Sequence, residues 1–186
     1  MLLNWSFIEE LEGFRATGYV PVDRNGKPLG RSGVTIGYGV DLGHWSAAQL
    51  RRQEVPTALI QLLRPYLGLR GEAALAVASR LELDEDDART LSRLIQRPIV
   101  NALRRRYGGS QRAGTLRWDY LPAAARTVMV SVAFQYGPFL SRRTPKFWRS
   151  AVTNDWAAMV AELRDFGDLY PTRRGKEADH LSHILK

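Results

Sequence analysis

Gly33-Val34-Thr35-Ile36-Gly37-Tyr38-Gly39-Val40-Asp41-Leu42-Gly43 reads as two short extended runs meeting at glycines, and its setting decides the fold. β-Branched and aromatic residues favour extended backbone, while the glycines permit tight reversals. Just upstream, Tyr19-Val20 supplies another extended run and Asn25-Gly26 a strong turn signal. Residues 17–42 therefore predict a small, glycine-rich antiparallel sheet.

Outward from the sheet the pattern is helical on both sides. Residues 6–11 form a helix candidate with Trp5, Ile8 and Leu11 on one stripe, Ser6 and Glu9 spaced as a capping box, and Gly13 to end it. Downstream, residues 46–54, 56–67 and 72–80 are helix candidates, with Pro56 suited to a first helical position. A stronger one spans residues 84–107, acidic at its amino end and basic at its carboxyl end, and Pro98 should kink or divide it. Residues 108–117 read as a polar loop. The run 122–136 is small and aliphatic almost all round, so its helix should be the buried one, and Gly137-Pro138 stops it. Thr144-Pro145 starts a short helix, Asn154 caps another through Phe166, and a last helix runs from Thr172 to Lys186.

The chain has 186 residues, 45% of them hydrophobic and none cysteine, which predicts one self-sufficient domain and excludes disulfide scaffolds, thiolate metal sites and Cys nucleophiles. No apolar run approaches a membrane span of about 20 residues, and the N-terminus lacks the pattern of a secretory signal. The net charge of +8 points to a polyanionic partner, with nucleic acid and anionic cell envelope both admissible. Arg104-Arg105-Arg106 is accompanied by no zinc finger, RNP-like or helix-turn-helix signature, so nucleic-acid binding is not expected.

Two carboxylates attract attention: Glu12 at the end of the first helix, and Asp41 after the glycine-rich segment. On opposite walls of a cleft, one protonated carboxyl can donate to a leaving oxygen while one ionised carboxylate activates water. Gly33-x-x-x-Gly37-x-Gly39 lacks the Lys-Ser or Lys-Thr of a phosphate-binding loop. Asp179, His180 and His183 are expected on a solvated face of the last helix, and no metal site is expected. His44 beside Trp45 is a candidate rim residue or helix cap. Trp5 and Trp156 fit core stripes, whereas Trp45, Trp118 and Trp148 show no clean periodic placement.

The wording of these segments, Glu12-Gly13 followed by Gly33 to Gly43, resembles the phage-type lysozymes and, more closely, the pesticin-like muramidases. The resemblance implies a predominantly helical α+β fold of lysozyme-like, two-lobe form. A sheet-containing lobe would cover about residues 13–70, a helical lobe about 84–186 plus the N-terminal helix, with the cleft between them. It assigns Glu12 as general acid, Thr35 as a hydroxyl that places water and Asp41 as the activating carboxylate, with Asp23 the alternative because shorter phage enzymes carry theirs before the Thr strand. Gly37 and Tyr38 would lie at the substrate. Phe134-Gln135-Tyr136-Gly137 is similar to the family's Phe-Gln-x-Gly and makes Gln135 a sugar-binding residue. In the tract Asp168-Leu169-Tyr170-Pro171-Thr172-Arg173-Arg174-Gly175 the resemblance implies an Arg paired with the catalytic Glu, Arg174 first and Arg173 as alternative.

The implied reaction is hydrolysis of the β-1,4 bond between N-acetylmuramic acid and N-acetylglucosamine in peptidoglycan, without a cofactor. The family favours inversion, which requires roughly 6.5–9.5 Å between carboxyls. A monomer is expected, acting on periplasmic or extracellular wall as a phage endolysin, a bacteriocin domain or a delivered effector. The last two imply a cognate immunity protein. The competing reading is a catalytically inactive peptidoglycan binder.

Overall fold

The computed structural model describes residues 3–185. Helix α1 (Trp5–Glu12) leads into strands β1 (Arg15–Tyr19), β2 (Thr35–Gly37) and β3 (Val40–Asp41), hydrogen-bonded in that order with both pairings antiparallel. Short helices α2 (Ala47–Arg52), α3 (Thr57–Leu63) and α4 (Glu72–Ala78) precede the long α5 (Glu85–Ser110). Then come α6 (Ala123–Tyr136), α7 (Leu140–Arg143), α8 (Pro145–Thr153), α9 (Trp156–Arg164) and α10 (Pro171–Ser182). The fold is predominantly helical α+β with one small antiparallel sheet, as the sequence predicts. The chain forms two compact units: one holds Glu12–Arg97, the other the chain up to Leu11 and again from Pro98.

In the sheet-bearing unit, Val34, Ile36 and Leu42 are fully buried and cluster with Leu50, Leu63 and Leu91. Helix α2 starts with a complete capping box, in which the Gln49 N–H donates to Ser46 Oγ and the Ser46 N–H to Gln49 Oε1. Helix α3 stops at Leu63, short of the expected 67, and tightens into a 3-10 turn over Arg64–Tyr66. Pro65 explains this, because it has no N–H to continue the α-helical ladder. Pro98, by contrast, does not end α5, which runs on through it. One lost backbone bond costs less here than the burial on either side, where Leu91, Val100 and Leu103 are all at most 5% exposed.

The other unit is centred on α6. Residues 125–133 of that helix are buried on every side, and Gly137 ends it at φ 76°. The expected loop from Gly108 begins later, because α5 continues through Gly108 and Gly109 to Ser110. Tyr107 anchors this last turn: it is fully buried, lies edge-on to Trp118 and Trp148, and donates its hydroxyl to the Leu116 carbonyl. Trp118 and Trp148 are thereby core residues at 4% and 6% exposure.

Three local expectations are corrected. The cap of α1 is Asn4, whose Oδ1 accepts from the Phe7 N–H, and not a Ser6–Glu9 box. The cap of α9 is Asp155, which accepts from the Ala158 N–H, while Asn154 closes α8 in left-handed geometry and donates to the Tyr107 hydroxyl. Helix α10 ends at Ser182 and tightens into a 3-10 turn over His183–Leu185; the expected terminus at Lys186 lies outside the described residues.

Candidate active site

Thr35 and Asp41 are directly opposed across the β2–β3 ladder, so both side chains rise from one face of the sheet. Opposed residues hold their Cβ atoms about 4.5–5.5 Å apart, close enough for a hydroxyl and a carboxylate to share one water. Tyr19 opposes Thr35 from the other side. Thr35 is 4% exposed and its hydroxyl donates to the Gly33 carbonyl at 3.2 Å.

Asp41 is fixed by its own backbone surroundings. Its Oδ1 accepts the Gly43 N–H at 2.8 Å and the Gly33 N–H at 3.1 Å, capping the 3-10 turn Leu42–His44. The glycine at 33 is required for this: a Cβ there would fall 2.4 Å from Asp41 Oδ1 and 2.5 Å from the Gly43 nitrogen. The second oxygen, Oδ2, lies 3.4 Å from His44 Nε2, and the Asp41 side chain keeps a quarter of its surface exposed. One oxygen is thus occupied with holding the turn, and the other lies toward the His44 ring.

Gly37 and Tyr38, expected at the substrate, are both buried. Gly37 has φ 64°, and a Cβ on it would meet Ser92 Oγ at 2.1 Å, so its glycine is demanded by the packing of α5 beneath the turn. The Tyr38 N–H donates to the same Ser92 hydroxyl, and the Tyr38 ring, 4% exposed, packs against Phe14. These two residues therefore shape the strand turn from below. Asp23 is engaged in the Asn25-Gly26 turn, where its Oδ1 accepts from the N–H groups of Asn25 and Lys27.

Glu12 is the last residue of α1 and is half-buried. The chain reverses at Gly13, φ 72°, and enters β1, whose Arg15 pairs with Gly37. The carboxylate is thereby tied within three residues to the sheet that carries Thr35 and Asp41.

The two candidate arginines separate. Arg174, 1% exposed, pairs with Asp168 at 2.8 Å and with Glu177, donates to Gln135 Oε1, and lies over the Phe166 ring. Asp168 and Glu177 both belong to the same unit as Arg174. Arg173 instead points to the end of α1: it donates to the carbonyl of Leu11, the residue before Glu12, at 3.5 Å. It also donates to Ser131 Oγ at 2.9 Å and to Glu177 at 3.3 Å. Of the two, Arg173 is the one whose hydrogen bonds reach the backbone at the end of α1. The Gln135 carbonyl oxygen accepts from Arg174, which ties this half-buried side chain to the network.

The charges of this network shift one another. Burial disfavours the Arg174 charge, yet Glu177 and Asp168 together outweigh it and hold the guanidinium above its usual range. Burial would raise Asp168, but hydrogen bonds from the Tyr136 hydroxyl, the Tyr170 N–H and Arg174 prevail and hold it below the ordinary carboxylate value. Tyr136 is pushed up by burial and by its bond to Asp168. Glu177 and Ser131, both fully buried and 2.5 Å apart, escaped the reading of the sequence. The i+3 and i+4 spacing from Arg174 and Arg173 to Glu177 was the available signal.

His180 is not on a solvated face. It is half-buried and stacked flat on Phe7, centroids 4.1 Å apart, and burial followed by the nearby His183 holds its pKa below the ordinary 6.5. Asp179 pairs with Arg164 at 2.7 Å. Among the described residues no three His, Asp or Glu side chains gather where they could hold a metal ion, and no helix is long and apolar enough to cross a membrane.

The sheet turn thus presents Thr35 and Asp41 side by side and is joined through Gly13 to the helix-ending Glu12. Residues 3–157 match the Pesticin family, described as a bacterial toxin homologue of phage lysozyme, C-terminal part. The chain belongs to the Pesticin family. The match spans Glu12, Thr35, Asp41 and Gln135, and ends before the Asp168–Gly175 tract. No curated protein matches the chain. The family makes it a lysozyme-type glycoside hydrolase homologue of toxin character.

Proposed function

We propose that the protein is a peptidoglycan muramidase that hydrolyses the β-1,4 bond between N-acetylmuramic acid and N-acetylglucosamine. The observation that carries this reading is the Thr35–Asp41 pair on one sheet face, within a family match that also covers Glu12. Glu12 protonates the glycosidic oxygen as the bond breaks. Asp41, through the oxygen not engaged by the Gly33 and Gly43 N–H groups, accepts a proton from water, and the Thr35 hydroxyl helps hold that water in line with the anomeric carbon. Attack on the face opposite the leaving group inverts the anomer.

Arg173, anchored on Ser131 and Glu177, braces the end of α1 and so the start of the segment bearing Glu12. A cation near a general acid favours its ionised form, so the arginine serves by placement. Substrate class also fits the charge: a +8 surface attracts an anionic cell wall at long range. The biological setting follows the toxin character of the family: action on periplasmic or extracellular wall after delivery, with a cognate immunity protein as partner. An endolysin role is the competing setting, and genes beside this one distinguish the two, an immunity gene supporting the toxin and a holin gene the endolysin.

The reading is tested on purified peptidoglycan with Glu12→Gln and Asp41→Asn beside the unchanged protein. Each variant should lose at least about a hundredfold in rate, the usual worth of a general acid or base. An NMR time course of soluble glycan should show the α-anomer forming first. Full activity in Glu12→Gln would end the assignment.

A further inference from the structure

Resting on that reading of Asp41, we propose that His44 is a positioning residue for the reaction: it fixes the second oxygen of Asp41, Oδ2, and is itself held in one tautomer by Arg70. Arg70 lies 26 residues away in sequence, yet its Nη2 is 3.1 Å from His44 Nδ1 while its Nε donates to the Gly43 carbonyl at 2.9 Å. A guanidinium has only donors, so His44 Nδ1 must accept. The ring hydrogen of the neutral imidazole then sits on Nε2, and Nε2 is the atom 3.4 Å from Asp41 Oδ2.

The same short turn therefore grips both ends of the carboxylate. Gly33 and Gly43 N–H groups take Oδ1, and the imidazole N–H approaches Oδ2, the oxygen left to receive a proton from water. Arg70 couples the two by binding both the turn's backbone at Gly43 and the imidazole. His44 is more than half exposed, so a buried packing role does not account for it. Its contribution is to set the rotation of the Asp41 carboxylate, and it needs one N–H donor and no proton transfer of its own.

The experiment measures kcat and KM on soluble peptidoglycan fragments for the unchanged protein, His44→Ala, His44→Gln and Asp41→Asn, with thermal melts on all four. A Gln amide nitrogen can stand close to the position of imidazole Nε2. His44→Ala should lower kcat by about threefold to tenfold, less than a full hydrogen bond to a charged group would give because the contact is 3.4 Å long, with KM and melting nearly unchanged, and His44→Gln should restore most of that loss. Unchanged kcat in His44→Ala, or a His44→Gln as slow as His44→Ala, overturns the proposal while Asp41→Asn stays inactive. An active Asp41→Asn overturns the reading of Asp41 itself, and the role of His44 with it. Independently of activity, 15N–1H correlation spectra of the His44 ring should show the Nε2–H tautomer; the Nδ1–H tautomer contradicts the proposal.

Discussion

Asp41 divides its two oxygens between structure and chemistry, and substitutions should separate the two. Asp41→Ala removes the acceptor for two backbone N–H groups and should cost about 1 kcal/mol of stability, the usual worth of such a cap. Asp41→Asn keeps an acceptor oxygen and should melt near the unchanged protein, yet lose activity. Paired melts and rate assays check this; an Asn variant that melts as low as Ala would show that charge, and not acceptance, holds the turn. Gly37→Ala makes a different statement. It forces a Cβ onto Ser92 at a positive φ and should destabilise by more than about 1 kcal/mol in denaturant unfolding. Most of these residues could be picked out of the chain, because Glu12, Thr35 and Asp41 stand in a distinctive wording. Their pairings could not: His44, itself a candidate rim residue, meets Arg70 across 26 residues, Ser131 meets Glu177 across 46, and only folding brings such pairs together.

Among elements, α10 carries the clearest consequences. Removing the Glu177 charge leaves two arginines short of a buried partner, so Glu177→Gln should cost about 3–5 kcal/mol, as breaking a buried pair does. Chemical denaturation would measure it, and a loss under 1 kcal/mol would contradict the account. The pH dependence has a definite sign. Asp168 has its folded pKa lowered, so its stabilisation is present above the ordinary carboxylate value near 3.8 and is lost as pH falls through the depressed value. His180 also has its folded pKa lowered, and the neutral ring is the one favoured in its stack on Phe7. Its contribution is present above about 6.5 and declines as pH falls through the lower folded value. Melting temperature should therefore drop in an upper acid step that His180→Phe removes, and a step unchanged by that substitution would refute the assignment. The helices themselves were legible wherever apolar periodicity or prolines marked them. Caps were misread by a residue or two, since Asn4 and Ser6, or Asn154 and Asp155, are equally capable caps and the choice falls to tertiary contacts such as Asn154 with Tyr107. The extent of α5 was hidden for the same reason, as buried Leu103 and Tyr107 carry the helix past a proline and into two glycines.

For the whole molecule, a +8 balance should make wall binding sensitive to salt. With screening over about 10 Å at 0.1 M ionic strength, sedimentation of the protein with cell walls should weaken steadily as salt rises. A salt-independent association would point to a specific glycan contact alone. The central claim is the bond that is cut, and the direct measurement is mass spectrometry of fragments released from purified polymeric peptidoglycan, by the unchanged protein and by Glu12→Gln. The account predicts new reducing N-acetylmuramic acid ends from the unchanged protein and none from the variant. Reducing N-acetylglucosamine ends, or no cleavage by folded protein across pH and salt, would contradict it.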